Sequence, residues 1–236
     1  MSNPYFQFKQ FTVWHDKCAM KVGTDGVLLG AWTSVRNAHK ILDVGTGTGL
    51  VALMLAQRSL PDADIIALEI DKAAAGQAGE NVARSPWKER IEVVQADFRN
   101  YQSSDKFDVI VSNPPYFVDS LECLDQQRNA ARHNDSLTYE ELLEGVAGLL
   151  AEDGAFTIVI PTDVADRVKM IATAKNLYAV RQLNVITKPG GIPKRTLITF
   201  TFSNQECVVE ELLTELARHQ YSEEYIALTR EYYLNM

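Results

Sequence analysis

The sequence lacks the features of a membrane, secreted or metal-binding protein. No apolar run approaches the roughly 20 residues that a membrane-spanning helix needs. The N-terminal residues show no basic stretch followed by an apolar core, so they do not resemble a secretory signal. The three cysteines, Cys18, Cys123 and Cys207, are far apart and match no metal-ligand spacing. We therefore expect a cytoplasmic protein, in a reducing compartment, that needs no metal ion.

Positive charge is also scarce, but it is unevenly distributed. The net charge of −8 by itself argues weakly against a nucleic-acid partner. Residues 180–204 nevertheless carry four Lys or Arg and no acid, and residues 1–40 carry five against two Asp. The tail from residue 205 carries seven Glu and two Arg. One basic face is therefore possible on an acidic protein.

Strands and helices alternate from residue 40 onward. The apolar runs that predict strands are 41–44, 65–70, 91–95, 107–112 and 155–160. The segments that predict helices are 50–57, 72–83, 138–150 and 163–175. This alternation predicts an α/β fold, in which a doubly wound, mostly parallel sheet has helices on both faces.

The ends of the chain complete this prediction. Residues 180–187 and 196–202 predict two strands joined by a Gly/Pro loop, which makes one strand antiparallel. Residues 206–218 and 222–234 predict helices, the second with Ser222 as its N-cap. The length fits a single domain over 1–236, with 1–40 as an N-terminal extension and 205–236 as C-terminal helices.

A glycine-rich turn separates the first predicted strand from the first helix. In Asp43-Val-Gly-Thr-Gly-Thr-Gly-Leu50, the glycines at 45, 47 and 49 allow a tight turn and close approach to a ligand. Glu69 ends the next strand and is suited to bind ribose hydroxyls. A dinucleotide fold uses G-x-G-x-x-G, whereas the spacing here is G-x-G-x-G. Asp43, two residues before the first glycine, suits a ligand with an amine and a sulfonium better than a pyrophosphate.

A third acid follows the third strand, in Gln95-Ala-Asp-Phe98. Asp97 could accept a hydrogen bond from an adenine amino group, with Phe98 against the ring. Because parallel strands end at the same edge of a sheet, Asp43, Glu69 and Asp97 are expected to line one crevice. Together they predict an S-adenosylmethionine site. The alternative is a structural glycine turn with ordinary capping acids.

The motif Asn113-Pro-Pro-Tyr116 follows the fourth strand directly. Pro114 and Pro115 donate no backbone N–H and favour an extended, rigid backbone. An amino group on a base or amide is a poor nucleophile because its lone pair is delocalised. The Asn113 side-chain oxygen and the Pro114 carbonyl could accept its two hydrogens and orient the nitrogen, while Tyr116 stacks on the substrate. The alternative is a proline-stiffened strand end with a core tyrosine.

With these motifs the chain resembles the class I S-adenosylmethionine-dependent methyltransferases of the amino-methylating group marked by N/D-PP-Y/F/W. A narrower resemblance, to bacterial tRNA (adenine-N6)-methyltransferases that act on valine tRNA beside the anticodon, is carried by residues 8–32, 128–133 and 221–234. The resemblance implies seven strands in the order 3-2-1-4-5-7-6, with strand 7 antiparallel. It also implies that Lys21-Val-Gly-Thr-Asp25 closes over the methionine end of the cofactor.

The predicted site residues fall into three groups. Those for the cofactor are Lys21, Gly23, Thr24, Asp25, Asp43, Gly45, Gly47, Gly49, Glu69, Asp71, Asp97, Phe98 and Asn113. The catalytic group is Asn113, Pro114, Pro115 and Tyr116. RNA phosphates are expected at Arg128, Arg132, Lys188, Lys194 and Arg195, for which a solvated surface role is the alternative.

The predicted reaction is methylation of the N6 amino group of a tRNA adenosine by a monomeric enzyme. Two alternatives stay open, a ribosomal RNA adenine or guanine amino-methyltransferase and a protein glutamine N5-methyltransferase. Glutamine methyltransferases carry an N-terminal helical domain, for which the residues before 41 leave no room. A DNA methyltransferase would usually need a target-recognition domain, and a non-catalytic binding protein would not need the Asn-Pro-Pro-Tyr motif.

Overall fold

The computed structural model describes residues 3–18, 21–115, 137–218 and 220–236. The strands in chain order are β1 (Tyr5–Gln7), β2 (Thr12–Trp14), β3 (Lys40–Val44), β4 (Asp64–Glu69), β5 (Ile91–Gln95), β6 (Phe107–Ser112), β7 (Leu150–Pro161), β8 (Tyr178–Ile186), β9 (Arg195–Thr201), β10 (Val208–Leu213), β11 (Glu215–Ala217) and β12 (Gln220–Tyr221). The helices are α1 (Thr24–Trp32), α2 (Leu50–Arg58), α3 (Lys72–Ala83), α4 (Tyr139–Leu149), α5 (Ala165–Thr173) and α6 (Glu223–Thr229).

In the described part of the chain, eight strands form the central sheet, in the order β10-β8-β9-β7-β6-β3-β4-β5. Strand β9 runs antiparallel to both of its neighbours, β7 and β8. Counted from β3, the first seven strands follow the expected order 3-2-1-4-5-7-6, but the expected count of seven strands is wrong. An eighth strand, β10, extends the sheet by pairing in parallel with β8.

The prediction of a helix over residues 206–218 is wrong. This segment forms β10 and β11 instead. Its two leading β-branched residues, Val208 and Val209, stay exposed, and the segment buries Leu212. The free edge of β8 offers backbone hydrogen-bond partners, so tertiary pairing outweighs the local preference of a Glu- and Leu-rich stretch for helix.

The second C-terminal helix begins where it was predicted and ends earlier. The Ser222 hydroxyl accepts a hydrogen bond from the Tyr225 amide at 3.0 Å, so the predicted N-cap is confirmed. The helix stops at Thr229 instead of continuing to residue 234. The chain turns there because the Tyr232 side chain is buried and its hydroxyl donates to the Met54 carbonyl at 3.2 Å.

Two apolar cores lie on opposite faces of the sheet. The first joins α1, α2 and α6 to the sheet, and the second joins α4 and α5 to the other face. No helix among the described residues is both long and apolar enough to cross a membrane.

The N-terminal aromatic residues belong to the first core. Phe8 and Phe11 are buried and stack with ring centroids 4.7 Å apart. Phe8 also stacks on Tyr233 near the end of the chain, at 5.8 Å. Packing against the domain, the favoured interpretation of these aromatics, is confirmed for Phe8 and Phe11. The stacking joins the first and last segments of the chain.

Close packing between α1 and α2 depends on Gly30. A Cβ atom there would lie 2.8 Å from the Met54 side chain, whereas a Cβ at Gly148 of α4 would meet nothing within 4 Å. We expect Gly30→Ala to destabilise the fold by about 1–3 kcal/mol because the core is overpacked. Gly148→Ala should be neutral or stabilising by up to about 1 kcal/mol, since alanine favours helix. Urea unfolding followed by circular dichroism measures both. Equal effects would contradict the packing described here.

Candidate active site

The turn after β3 is built on left-handed glycines. Gly45 has φ +75° and Gly47 has φ +57°, a region that other residues rarely adopt. The amides of Gly45 and Thr46 both donate to the Leu68 carbonyl of β4, at 2.9 and 2.8 Å. A Cβ atom at either glycine would meet no other atom within 4 Å. Open space therefore faces the backbone of this turn, and a ligand can approach it closely.

Asp43 holds the turn from beneath. Its side chain is buried, and one carboxylate oxygen accepts from the Thr46 hydroxyl at 2.6 Å and the Ala52 amide at 3.1 Å. Burial raises the pKa of Asp43 to about 7, while the two hydrogen bonds act in the opposite direction. Asp43 thus ties the turn to the first residues of α2. It does not line the cavity above the turn, where a direct ligand contact was expected.

Glu69 fixes the turn from the neighbouring strand. Its carboxylate accepts from the Gly47 amide at 2.8 Å and from the Asp71 amide at 3.0 Å. Asp71 in turn caps α3 by accepting from the Ala74 amide at 2.8 Å. The two acids stand at the end of β4 and both line the cavity.

Asp97 and Phe98 form the far wall of the cavity, after β5. Both oxygens of Asp97 accept from the Arg99 side chain, at 2.7–3.0 Å. These hydrogen bonds lower the pKa of Asp97, so it stays ionised at neutral pH. The Phe98 ring is buried against Gly145 of α4, where an added Cβ would lie 2.5 Å from it. Helix α4 therefore sets the position of this wall.

The N-terminal segment reaches the cavity along α3. Asn81 of α3 accepts from the Trp14 amide at 2.9 Å and donates to the carbonyls of Trp14 and Thr48, at 2.8 and 2.9 Å. One amide thus joins β2 to the glycine turn. Farther along, Lys21 and Gly23 also line the cavity.

The Asn113-Pro-Pro stretch closes the cavity at the end of β6. Ser112 anchors it, because the Ser112 hydroxyl donates to the Val44 carbonyl of β3 at 2.9 Å. The Asn113 amide nitrogen lies 3.8 Å from the position of a Cβ on Gly26 of α1. The Asn113 side chain thus lies beside the first turn of α1 and lines the cavity. Tyr116 lies outside the described residues.

These walls enclose a cavity of about 430 Å³. The predicted residues that line it are Lys21, Gly23, Asp25, Gly45, Gly47, Glu69, Asp71, Asp97, Phe98, Asn113, Pro114 and Pro115. Three predicted cofactor residues lie outside this lining, namely Thr24, Asp43 and Gly49. Gly49 instead packs on α3, where a Cβ would lie 3.4 Å from Ala78.

Sequence reasoning missed several residues of the lining. Ile70 is 52% exposed although it is large and apolar, and it stands between the two acids after β4. Its position directly after the acidic strand end was a usable signal. Cys18 also lines the cavity, and burial raises the pKa of its thiol to about 11, so it stays protonated at neutral pH. Nothing in the sequence around Cys18 indicated this.

The predicted RNA-contacting residues are only partly described. Arg128 and Arg132 lie outside the described residues. Lys188 is exposed in the turn after β8, and Lys194 and Arg195 stand at the start of β9. Arg195 pairs with Asp25 of α1 at 3.1 Å. Among the described residues no group of three or more His, Cys, Asp or Glu could hold a metal ion.

The cavity fits S-adenosylmethionine. The space over Gly45 and Gly47 is open because neither residue has a side chain, and a Cβ atom at either position would project into it. Carboxylates at Glu69 and Asp71 suit ribose hydroxyls and the cationic part of the cofactor, and Ile70 and Phe98 provide apolar walls for its adenine. Gly47, Glu69, Asp97 and Lys21 are the residues that would hold it.

Solved structures of proteins described as methyltransferases share this fold. The structure aligns with an Agrobacterium tumefaciens protein described as a predicted O-methyltransferase, with a TM-score of 0.68 and 19% identity, over 90% of this chain and all of the other. It also aligns with the glycopeptide N-methyltransferase MtfA in complex with S-adenosylmethionine, with a TM-score of 0.55 and 14% identity, over 78% and 90% of the two chains. At these identities the alignments establish the fold.

Fold and cavity define an S-adenosylmethionine-dependent methyltransferase. The model of the methyltransferase small domain matches residues 20–186, and the chain belongs to this family. Its relatives include proteins named tRNA1(Val) (adenine(37)-N6)-methyltransferase. The one from Bacteroides thetaiotaomicron is 80% identical over the whole of both chains. The one from Phocaeicola vulgatus is 56% identical, also over both whole chains, and the one from Aeromonas hydrophila is 47% identical over 99% of each.

The Glu69 carboxylate should contribute strongly to cofactor affinity. Glu69→Ala removes the acceptor of the Gly47 amide and a charged partner for the ribose, so we expect affinity for S-adenosylmethionine to fall about tenfold or more. Isothermal titration calorimetry measures this. Glu92→Ala is the matched control, because Glu92 is exposed on β5 away from the cavity. Equal affinities for the two variants would contradict the role of Glu69.

Asp43 should make stability depend on pH. Between its unfolded pKa of about 4 and its folded pKa of about 7, the folded state binds more protons, so stability falls as pH rises. Asp43→Asn keeps the acceptor and does not titrate. We therefore expect the stability advantage of the native protein over Asp43→Asn to shrink by about 2 kcal/mol from pH 5 to pH 8. Urea unfolding without cofactor at the two pH values measures it, and a constant difference would refute the assignment.

Proposed function

We propose that this protein methylates the N6 amino group of an adenosine in tRNA, the one that follows the anticodon on its 3′ side in valine tRNA. The observation that carries the proposal is the Asn113-Pro-Pro stretch in the lining of the cofactor cavity. Support for the substrate comes from relatives of that name, 50–80% identical over the whole of this chain.

Methyl transfer to an amino group requires hydrogen-bond acceptors more than it requires a general base. S-adenosylmethionine, when bound, would supply an electrophilic methyl group and leave as S-adenosylhomocysteine, and the methylated nitrogen would then lose one of its hydrogens as a proton to water. The Asn113 side-chain oxygen and the Pro114 carbonyl accept the two hydrogens of the adenine amino group. This breaks the conjugation of the nitrogen lone pair with the ring and orients it toward the methyl donor. Both acceptors are neutral dipoles that also stabilise a nitrogen becoming positive.

The rest of the motif positions the base. Pro114 is buried and Pro115 is exposed beside it, and neither has a backbone N–H to donate to a neighbouring strand. Tyr116 is assigned to stack on the adenine, a contact worth about 1–3 kcal/mol. A base must leave its stack to reach this cavity, which costs least in a single-stranded loop.

Basic residues are assigned to the RNA backbone. Lys188 and Lys194 stand beside the turn before β9, at the sheet edge that carries Asn113, and Arg128 and Arg132 are assigned to the same task. Such contacts give affinity that falls with salt. The proposal includes a monomeric protein of the cytoplasm and a reaction without metal.

The test presents several substrates side by side. Purified protein and labelled S-adenosylmethionine are incubated with unmodified valine tRNA, ribosomal RNA, DNA and a release factor, and the products are digested and identified by mass spectrometry. We expect N6-methyladenosine in the tRNA alone. Label in ribosomal RNA or in a protein glutamine would refute the substrate while leaving the cavity chemistry standing.

The same assay tests Asn113. We expect Asn113→Ala to lose about 100-fold or more of the methyl transfer, because one of two oriented acceptors is gone. Its affinity for S-adenosylmethionine should stay within about threefold, since the Gly47 and Glu69 side of the cavity is intact. Asn204→Ala, in the exposed loop after β9, is the matched control. Full activity of Asn113→Ala would rule out the proposed mechanism.

A further inference from the structure

A second cavity, of about 630 Å³, lies at the carboxyl edge of the sheet, farther from β4 and β5 than Asn113 is. The end of β8 and the start of β9 form one side, and residues from both ends of the chain form the other. Its polar and aromatic lining includes Lys194, Arg195, Glu215, Tyr221, Tyr225 and Tyr233. The reaction assigned to the first cavity uses none of the tyrosines and not Glu215.

We propose that this second cavity binds one nucleotide of the RNA, an immediate neighbour of the target adenosine. The inference rests on the proposed function and deepens it. The neighbour's base stacks on Tyr221, its phosphate binds Lys194, and an amino group on its base donates to Glu215.

Tyr221 has the properties of a stacking platform. It is 37% exposed, and its ring centroid lies 5.2 Å from that of Tyr225, which is buried. Tyr225 is held in turn by Tyr233, with the two hydroxyl oxygens 3.5 Å apart. The outer ring thus rests on a fixed inner layer and borders the cavity. Any of the four bases can stack on such a ring, because every base has a flat aromatic face.

The charges of the cavity suit a nucleotide. Among the residues that the structure describes, none forms an ion pair or side-chain hydrogen bond with the Lys194 ammonium group, which is exposed. The Glu215 amide donates to the Thr187 carbonyl at 3.1 Å, which fixes this residue beside the end of β8. A carboxylate there accepts from the amino groups of adenine, guanine or cytosine, whereas uracil has no amino group and could donate only from its ring N3–H.

Continuity with the first cavity makes the occupant a neighbour of the target. Asp25 lines both cavities. The next residue, Gly26, faces the Asn113 amide, and Arg195 holds Asp25 from the β9 side at 3.1 Å. The two cavities therefore adjoin at Asp25 of α1. A base flipped toward Asn113 leaves the adjoining nucleotide at the entrance to the second cavity.

The test combines RNA and protein changes. Valine tRNA is prepared with an abasic residue on either side of the target adenosine, one at a time, and kcat/KM is measured with the native protein and Tyr221→Leu. With the native protein, we expect kcat/KM to fall about tenfold for one of the two abasic tRNAs. On intact tRNA, Tyr221→Leu should lower kcat/KM by about the same factor. On that abasic tRNA, the variant should show no further loss of kcat/KM, because the same contact is already gone.

Three further variants complete the design. Tyr221→Phe keeps the ring and should keep the activity, which separates loss of stacking from misfolding. Lys194→Gln should raise KM at unchanged kcat and reduce the salt slope of binding by about one. The matched controls are Tyr178→Leu and Lys88→Gln, which lie outside both cavities and should match the native protein. Affinity for S-adenosylmethionine should be the same in all of them.

The outcomes separate the two proposals. Normal methylation of both abasic tRNAs by the native protein would overturn the second site and leave the proposed function intact. The second site would also be overturned if the loss of kcat/KM from Tyr221→Leu multiplied with the loss from the abasic residue. The two changes would then act independently. No methylation of intact valine tRNA by the native protein would overturn both proposals.

Discussion

A single buried carboxylate sets the geometry on which the site depends. Asp43 accepts from the Thr46 hydroxyl and the Ala52 amide, and this joins the last residues of β3, the glycine turn and α2 into one unit. The same turn is held by Glu69 from β4, and by Asn81 through the Thr48 carbonyl. Because these supports come from three directions, the left-handed glycines are fixed before any ligand arrives. The backbone then presents an open, preorganised surface.

Charge along the chain has a more specific use than its total suggests. Of the four basic residues between 180 and 204, Arg181 pairs with Glu210 of β10 at 2.9 Å and so supports the eighth strand. Arg195 pairs with Asp25 beside the cofactor cavity. Much of the basic charge is thus structural, and Lys194 remains exposed at the sheet edge. In the proposed function, stacking would therefore supplement the few phosphate contacts that this segment offers.

The sequence predicted what depends on local pattern and on strand ends. Apolar runs located β3 to β9, and the rule that parallel strands end at one edge brought Glu69, Asp97 and Asn113 to one cavity. Prediction from the sequence failed where contacts between residues distant in the chain determine the structure. Strand β10 forms because β8 has a free edge, which its own residues do not reveal. The burial of Asp43 depends on the path of the turn, and the second cavity is closed by residues from both chain ends, such as Phe6 and Tyr233.

The order of charges along the sheet edge offers a physical reason for this arrangement. Acids stand after β4 and β5, the neutral acceptor Asn113 follows β6, and Lys194 stands before β9. In the proposed function, a cationic cofactor and a polyanionic RNA would be attracted to opposite ends of the same edge. They would meet at Asn113, whose side chain carries no charge. A carboxylate there would attract the amino nitrogen's hydrogens more strongly, but it would also repel the phosphates beside the target base. In the proposed mechanism, the amide and the proline carbonyl would orient the nucleophile without that cost.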